Sequence, residues 1–338
     1  MSAPLSELQL ETASVADGGL DGEQTSAEIA GLSPRQLAWR RLRRDKVSFV
    51  AFCLVIFFIL LAIAAPILES FGVVDPYSLH PELLTGFGET PGPHGGISWS
   101  HWFGIVPQTG WDVFARVVLG ISFSMMIAGT AVILATVVGL VIGIIAGYMG
   151  GKTDFWLGRF MDLLLAFPQT LMLLALSSVL KQRIASILGD DPGSLPVSAV
   201  YLILVLSVFG WPSLARIVRG QVLSLRNREF VEAARSLGAT RRRIWFKELM
   251  PNLWAPVIVF VSLNFPLLIG TEAALSFLGV GIQPPTPSLG NILNDSVSWY
   301  IPDPVYFFLP GVVLVLVVLS FNLLGDGLRD ALDPKTGR

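Results

Sequence analysis

The chain has 338 residues, 53% of them hydrophobic and only 14% charged, with a mean hydropathy of +0.66. A soluble protein of this size carries about a quarter of its residues as charges to clothe its surface, so a soluble pair of domains is excluded and lipid must solvate much of the chain. The formal net charge of -2 gives no global attraction to nucleic acid, and the single cysteine, Cys53, excludes an intrachain disulfide or a cysteine metal cluster.

Residues 1–34 hold six acids and no base, with many Ser, Gly, Ala and Thr, and read as a disordered acidic tail. Arg35, Arg40, Arg41, Arg43, Arg44 and Lys46 then crowd in front of the first charge-free apolar run. A membrane-crossing helix needs about 20 apolar residues, because every backbone polar group must be paired inside the segment. Six runs qualify: Val47–Leu68, Val117–Met149, Leu163–Leu180, Leu195–Ala215, Leu249–Thr271 (continuing past Glu272 to about Val280) and Val305–Gly325. The first is expected to be an uncleaved anchor despite Ala64-Ala65-Pro66, which resembles a cleavage site, because the run and its leader are too long for a signal peptide. The second is too long for one upright span and is expected to project beyond the bilayer.

The expected fold is therefore an all-α polytopic membrane protein of six transmembrane helices. Its expected parts are a basic segment and first span (35–68), a loop (69–115), a five-span core (116–326) and a tail (327–338). Alternating the loops puts 20 of the 23 Lys and Arg on one side and Arg116, Lys181 and Arg183 on the other. The positive-inside rule then predicts both termini in the cytoplasm and loops 69–115 and 281–304 outside.

Intramembrane charge distinguishes a transporter from an intramembrane enzyme or a scaffold, and little is present. No span carries a zinc-binding His-Glu-x-x-His pair, a Ser/His pair or paired aspartates, and His80, His94 and His101 share one loop without metal-ligand spacing. Asp162 is expected to pair with Arg159 one turn away. Glu272 either lines a polar pathway or bonds to a neighbouring helix. Gly139, Gly143 and Gly147 recur every four residues and align on one helix face, a signal of close helix packing. Pro168, Pro212, Pro256, Pro266 and Pro310 favour kinks. Ala146 to Thr153 fits a relaxed phosphate-loop pattern, but a membrane span precedes it where a strand is required, so this chain is not expected to bind nucleotide.

The segment 225–250 between spans four and five is the sharpest signal. Phe230, Ala233, Ala234 and Leu237 fall on one helical face. Gly238 supplies a helix terminus where a left-handed backbone is easily adopted, Thr240 an N-cap for a second short helix, and Pro251 the start of span five. A basic helix resting on anionic lipid and a nucleic-acid patch built on Arg241-Arg242-Arg243 are the competing readings. Small Ala and Gly residues admit a close protein backbone rather than stacked bases, so a helix docked in a partner's groove is preferred.

Glu232-Ala233-Ala234, three residues and Gly238 resemble the coupling motif of ATP-binding-cassette importer permeases, although its usual Ile-x-Leu-Pro ending appears here as Glu248-Leu249-Met250-Pro251. Trp211-Pro212-Ser213-Leu214-Ala215-Arg216, Glu229 to Arg235, Ala146-Gly147-Tyr148 with Asp154, and Leu275-Ser276-Phe277-Leu278-Gly279 are similar to the dipeptide/oligopeptide branch. Gly110-x-Asp112-Val113-Phe114-x-Arg116 and Phe321 to Asp330 are similar to its C-type permease. The resemblance spans about residues 35–335. It implies a type I ABC importer permease fold and a non-catalytic subunit in a bacterial cytoplasmic membrane. It also implies a homologous B-type permease partner, two ABC ATPase subunits (or one fused ATPase) holding ATP and Mg, and an extracytoplasmic peptide-binding protein. Glu232, Ala233, Ala234, Arg235, Leu237 and Gly238 would couple to the ATPases. A polar peptide requires a polar pathway, for which Glu272, Asn264, Ser124 and Thr130 are the candidates. Nickel or another metal chelate, and glutathione, are alternative cargoes, and a structural membrane scaffold is the alternative of another class.

Overall fold

The computed structural model describes residues 34–91 and 94–332; the acidic segment expected to be disordered lies outside them. Helix α1 (Pro34–Arg44) leads into α2 (Lys46–Ser70), separated by Asp45. The Asp45 carboxylate accepts from the backbone N–H of Val47 and Ser48 at 3.2 and 3.1 Å, closing orphan donors at the start of α2. A loop follows, with one 3-10 turn at Pro81–Leu83 and an antiparallel bridge between Ile105 and Asp112. Asp112 then caps α3 (Val113–Met149) by accepting from Ala115 N at 2.7 Å. Next come α4 (Gly151–Ala166), α5 (Gln169–Leu188), α6 (Leu195–Leu225), α7 (Glu229–Ser236), α8 (Arg241–Phe277), α9 (Leu289–Val297) and α10 (Pro304–Leu332).

Six of these helices, α2, α3, α5, α6, α8 and α10, are long and apolar enough to cross a membrane. The protein is a multi-pass, all-helical membrane protein, as its sequence pattern predicts. Helix α3, 37 residues long, has the length expected of a span that projects past the bilayer. The third span sits later than the run Leu163–Leu180. Proline disfavours a helical conformation in the residue before it, and Phe167 is extended (φ −80°, ψ 133°) ahead of Pro168. The apolar run is thus cut into the end of α4 and the start of α5, and Pro168 begins a helix instead of kinking one.

That shift moves Lys181 from a loop into a buried position on α5. Its Nζ donates to Ser198 Oγ on α6 at 3.1 Å and to the Gly281 carbonyl at 2.9 Å. Arg116, 1% exposed in the first turn of α3, is likewise drawn inward. Its guanidinium lies 4.1 Å from the Trp111 ring centroid and donates to the Pro285 carbonyl at 3.1 Å, tying both loops at this end of the bundle to α3.

The most extensive helix pairing is α3 against α6. A Cβ placed on Gly139, Gly143 or Gly147 would stand 2.9, 2.7 and 2.8 Å from the carbonyl oxygens of Trp211, Ala215 and Arg219 respectively. Leu214, Val218 and Val222, also four residues apart, fill the same seam. The two helices can approach this closely only because the stripe has no side chains. Gly143→Ala is therefore expected to destabilise the protein by about 1–3 kcal/mol through overpacking, read as a lower Tm in detergent. Gly129→Ala is the contrast: its Cβ would meet only the Phe265 ring, at 3.6 Å, and Tm should hold.

Candidate coupling elbow

Helix α7 is short, with Glu229 and Glu232 in its first turn and Arg235 in its last, charges that complement the helix dipole. Its end is a Schellman motif. Gly238 adopts φ +77°, its N–H bonds to the Arg235 carbonyl, and the N–H of Ala239 reaches back to the Ala234 carbonyl, both at 3.0 Å. Thr240 then caps α8 by accepting from Arg243 N at 3.4 Å. The expected second short helix is not separate. Residues 241–243 run without a break through a π-helical turn, Ile244–Leu249, into the span. Pro251 cannot donate to a carbonyl in the preceding turn, and the backbone widens there rather than stopping.

One side of α7 is anchored. Val231 is fully buried among Leu214, Val218, Val222, Ile244 and Leu249. The predicted face Phe230, Ala233, Ala234 and Leu237 is the more open side, although Ala234 also packs against that cluster. Phe230 and Ala233 are exposed, Ala234 is half-buried, and Leu237 stands 88% exposed at the tip. With Gly238, Ala239, Thr240, Arg243 and Glu248 these residues line a shallow groove. Glu232 and Arg235 are exposed at its rim.

The elbow is tied to the spans on several sides. Arg226 donates to the Gly147 carbonyl at 3.0 Å, joining the end of α6 to the end of α3. Arg219 forms a two-pronged ion pair with Asp154 on α4, one prong at 2.8 Å. That guanidinium holds the Asp154 carboxyl below the usual carboxylate range. Asp162 pairs with Arg216 on α6 at 2.5 Å, not with Arg159, which lies over the Phe155 ring instead. The Tyr148 ring meets Trp245 edge-on at 6.1 Å and the Arg235 guanidinium at 5.8 Å. Residues 146–153 form the last turn of α3 and the start of α4, so no strand precedes the phosphate-loop-like string.

Residues 139–338, which include the whole elbow, match the family described as binding-protein-dependent transport system inner membrane component, and residues 33–81 match the N-terminal TM domain of oligopeptide transport permease C. The chain belongs to the binding-protein-dependent transport permease family. It is 36% identical over 308 residues to the dipeptide transport system permease protein DppC of Alkalihalophilus pseudofirmus, covering 91% of this chain and 92% of that one. It is 35% identical over 315 residues to the oligopeptide permease OppC of Bacillus subtilis, covering 93% of each. The glutathione permease GsiD of Escherichia coli is 36% identical over 297 residues, covering 88% of this chain and 89% of that one. An inward-facing structure of the MetNI methionine ABC transporter shares the fold, with a TM-score of 0.51 at 19% identity over 64% of this chain and 96% of that one. This permease is accordingly a membrane component of an ABC importer and not a catalytic subunit.

The four pathway candidates are not gathered in one place. Glu272 is fully buried on α8, accepting from Ser276 Oγ at 2.7 Å. Ser124 on α3 lies close enough to interact with that carboxylate, yet neither Ser124 Oγ nor Glu272 Oε2 reaches a hydrogen-bond partner. Asn264 is half-buried and donates to the Phe260 carbonyl, and exposed Thr130 donates to the Met126 carbonyl, each within its own helix. A separate open groove along α8 is lined by Thr170, Gly270, Thr271 and Asn322 among apolar residues; its residues come from α5, α8 and α10, so no single stretch of sequence marks it. The pairings of Arg216, Arg219 and Arg226 were not legible, since their partners lie on other helices. Asp154→Asn is expected to lower stability by about 1 kcal/mol. The drop should vanish in an Arg219→Gln background if the two side chains act as a pair, measured by a double-mutant cycle on Tm.

Proposed function

We propose that this permease carries dipeptides or short oligopeptides through a bacterial cytoplasmic membrane, with both termini and the elbow on the cytoplasmic side. The reading is supported by the relatives named for dipeptide, oligopeptide and glutathione transport, and glutathione, itself a short peptide, is the nearest alternative cargo. In this reading a homologous permease completes the pathway. Two ATPase subunits, or one fused ATPase, bind ATP and Mg, and an extracytoplasmic binding protein delivers cargo.

The observation that carries the coupling role is the open groove beside α7, a helix that Val231 locks to α3, α6 and α8. Glu232, Ala233, Ala234, Arg235, Leu237 and Gly238 form the proposed contact with an ATPase subunit. Movement of that subunit displaces a block already joined to three spans, which fits rigid-body switching of a two-state bundle. Thr130 and Asn264 are proposed to meet cargo directly. Glu272 and Ser124 would do so only when α3 and α8 part.

Leu237→Asp tests the contact without disturbing the fold, because Leu237 is 88% exposed. The purified complex should keep its subunits and its basal ATP turnover while peptide uptake in proteoliposomes falls at least tenfold. Gly238→Leu should do the same, since a side chain is strained at φ +77°. Undiminished uptake by both variants would sink the coupling role. Glu272→Gln is expected to lower uptake with assembly intact; unchanged uptake and cargo range would remove Glu272 from the pathway.

A further inference from the structure

Helix α1 plays no part in the elbow or the pathway, yet it is held in place. Leu42 is 4% exposed and lies beside Gly327 of α10. Arg41 turns to the same helix, its Nη1 3.4 Å from the Ala331 carbonyl. The Trp39 ring meets Phe52 of α2 edge-on at 5.3 Å. Trp39 is 40% exposed, and nearby Val47, Phe49 and Val50 expose 38–57% of their surface at the start of a membrane span. Helix α1 therefore lies against the first two turns of α2, beside the start of a candidate membrane span.

The cations on this helix are arranged for that position. Arg40, Arg43 and Arg44 occupy positions i, i+3 and i+4, one side of α1, and Lys46 follows in the first turn of α2. All four are exposed, and among the described residues none makes an ion pair. Arg43 packs its guanidinium over Trp39 at 4.8 Å, an arrangement that holds the cation beside the aromatic ring. Among the described residues, the acids near them are otherwise engaged or distant from the span start. Asp45 accepts from Ser48 and Val47 in capping α2, contacts that hold its carboxyl below the usual range. Asp326 and Asp330 sit on the last turns of α10, the side toward which Arg41 turns.

We propose that α1 is a binding site for anionic phospholipid, in which Arg40, Arg43, Arg44 and Lys46 hold a headgroup of net negative charge and Trp39 sets the depth. A cluster of cations without an ion pair among the described residues, beside a span and with an aromatic anchor, is chemically complementary to a phosphodiester surface. The site stands apart from the coupling reading: transport variants in the elbow leave it untouched.

The test uses the full-length chain in its purified, delipidated complex, titrated with phosphatidylglycerol or phosphatidylcholine in detergent and read by native mass spectrometry. Phosphatidylglycerol should bind preferentially. Each cation replaced by Gln should cut its binding by roughly fivefold, so Arg40→Gln/Arg43→Gln/Arg44→Gln should erase the preference while phosphatidylcholine binding holds. Should the triple variant fail to fold, Arg43→Gln alone should give the single fivefold step. Arg241→Gln/Arg242→Gln/Arg243→Gln in the elbow should leave the preference intact, and millimolar glycerol phosphate should not compete. Retention of the preference by the α1 variants, its loss in the elbow variant, or displacement by the free phosphate ester would each overturn the proposal.

Discussion

The close approach of α3 and α6 is the constraint on which the rest of the structure depends. In lipid, two apolar helices gain little from hiding apolar surface from each other, so their association relies on packing contacts and buried polar bonds. The stripe Gly139, Gly143 and Gly147 brings its backbone against the carbonyls of Trp211, Ala215 and Arg219, and Leu214, Val218 and Val222 fill the seam. That approach aligns the ends of both helices. Only then can Arg226 reach the Gly147 carbonyl, and only then does Tyr148 stand beside Trp245 and Arg235.

The same logic governs the few polar groups drawn into the bundle. A buried charge without partners is costly, and in a membrane the cost rises because no water is near. Lys181 finds a hydroxyl and a carbonyl, and Arg116 finds carbonyls and an aromatic face. Each therefore joins elements distant in sequence, and a side chain that reads as a loop charge becomes a tie between helices. Glu272 is the less complete case, with one oxygen satisfied by Ser276 and the other buried without a hydrogen-bond partner among the described residues.

Much of this was legible in the sequence. Long charge-free runs have only one stable solution in lipid, so the six spans were readable. The terminus of α7 was readable as well, because a Leu-Gly-Ala-Thr string supplies the left-handed residue and the next cap. What escaped was set by tertiary contact. The break at Phe167-Pro168 is invisible to a hydrophobic window, and with it went the place of Lys181. Asp162 found Arg216 across a helix interface instead of Arg159 on its own helix. The apolar face of the elbow was identified from its period, but that Val231 anchors the helix while that face stays open depends on where α6 and α8 stand.

The π-helical turn at Ile244–Leu249 makes the two arms of the elbow geometrically unequal. On one arm α6 runs without a π-helical turn to Leu225, with three residues between it and α7. On the other, the backbone passes through a wide ring with one extra residue per hydrogen bond before α8 becomes regular. Such a ring is a stored residue: closing it to ordinary pitch would feed one position along the helix and turn everything beyond by about 100°. The chain thus reaches one span through α-helical pitch and the other through a wider ring.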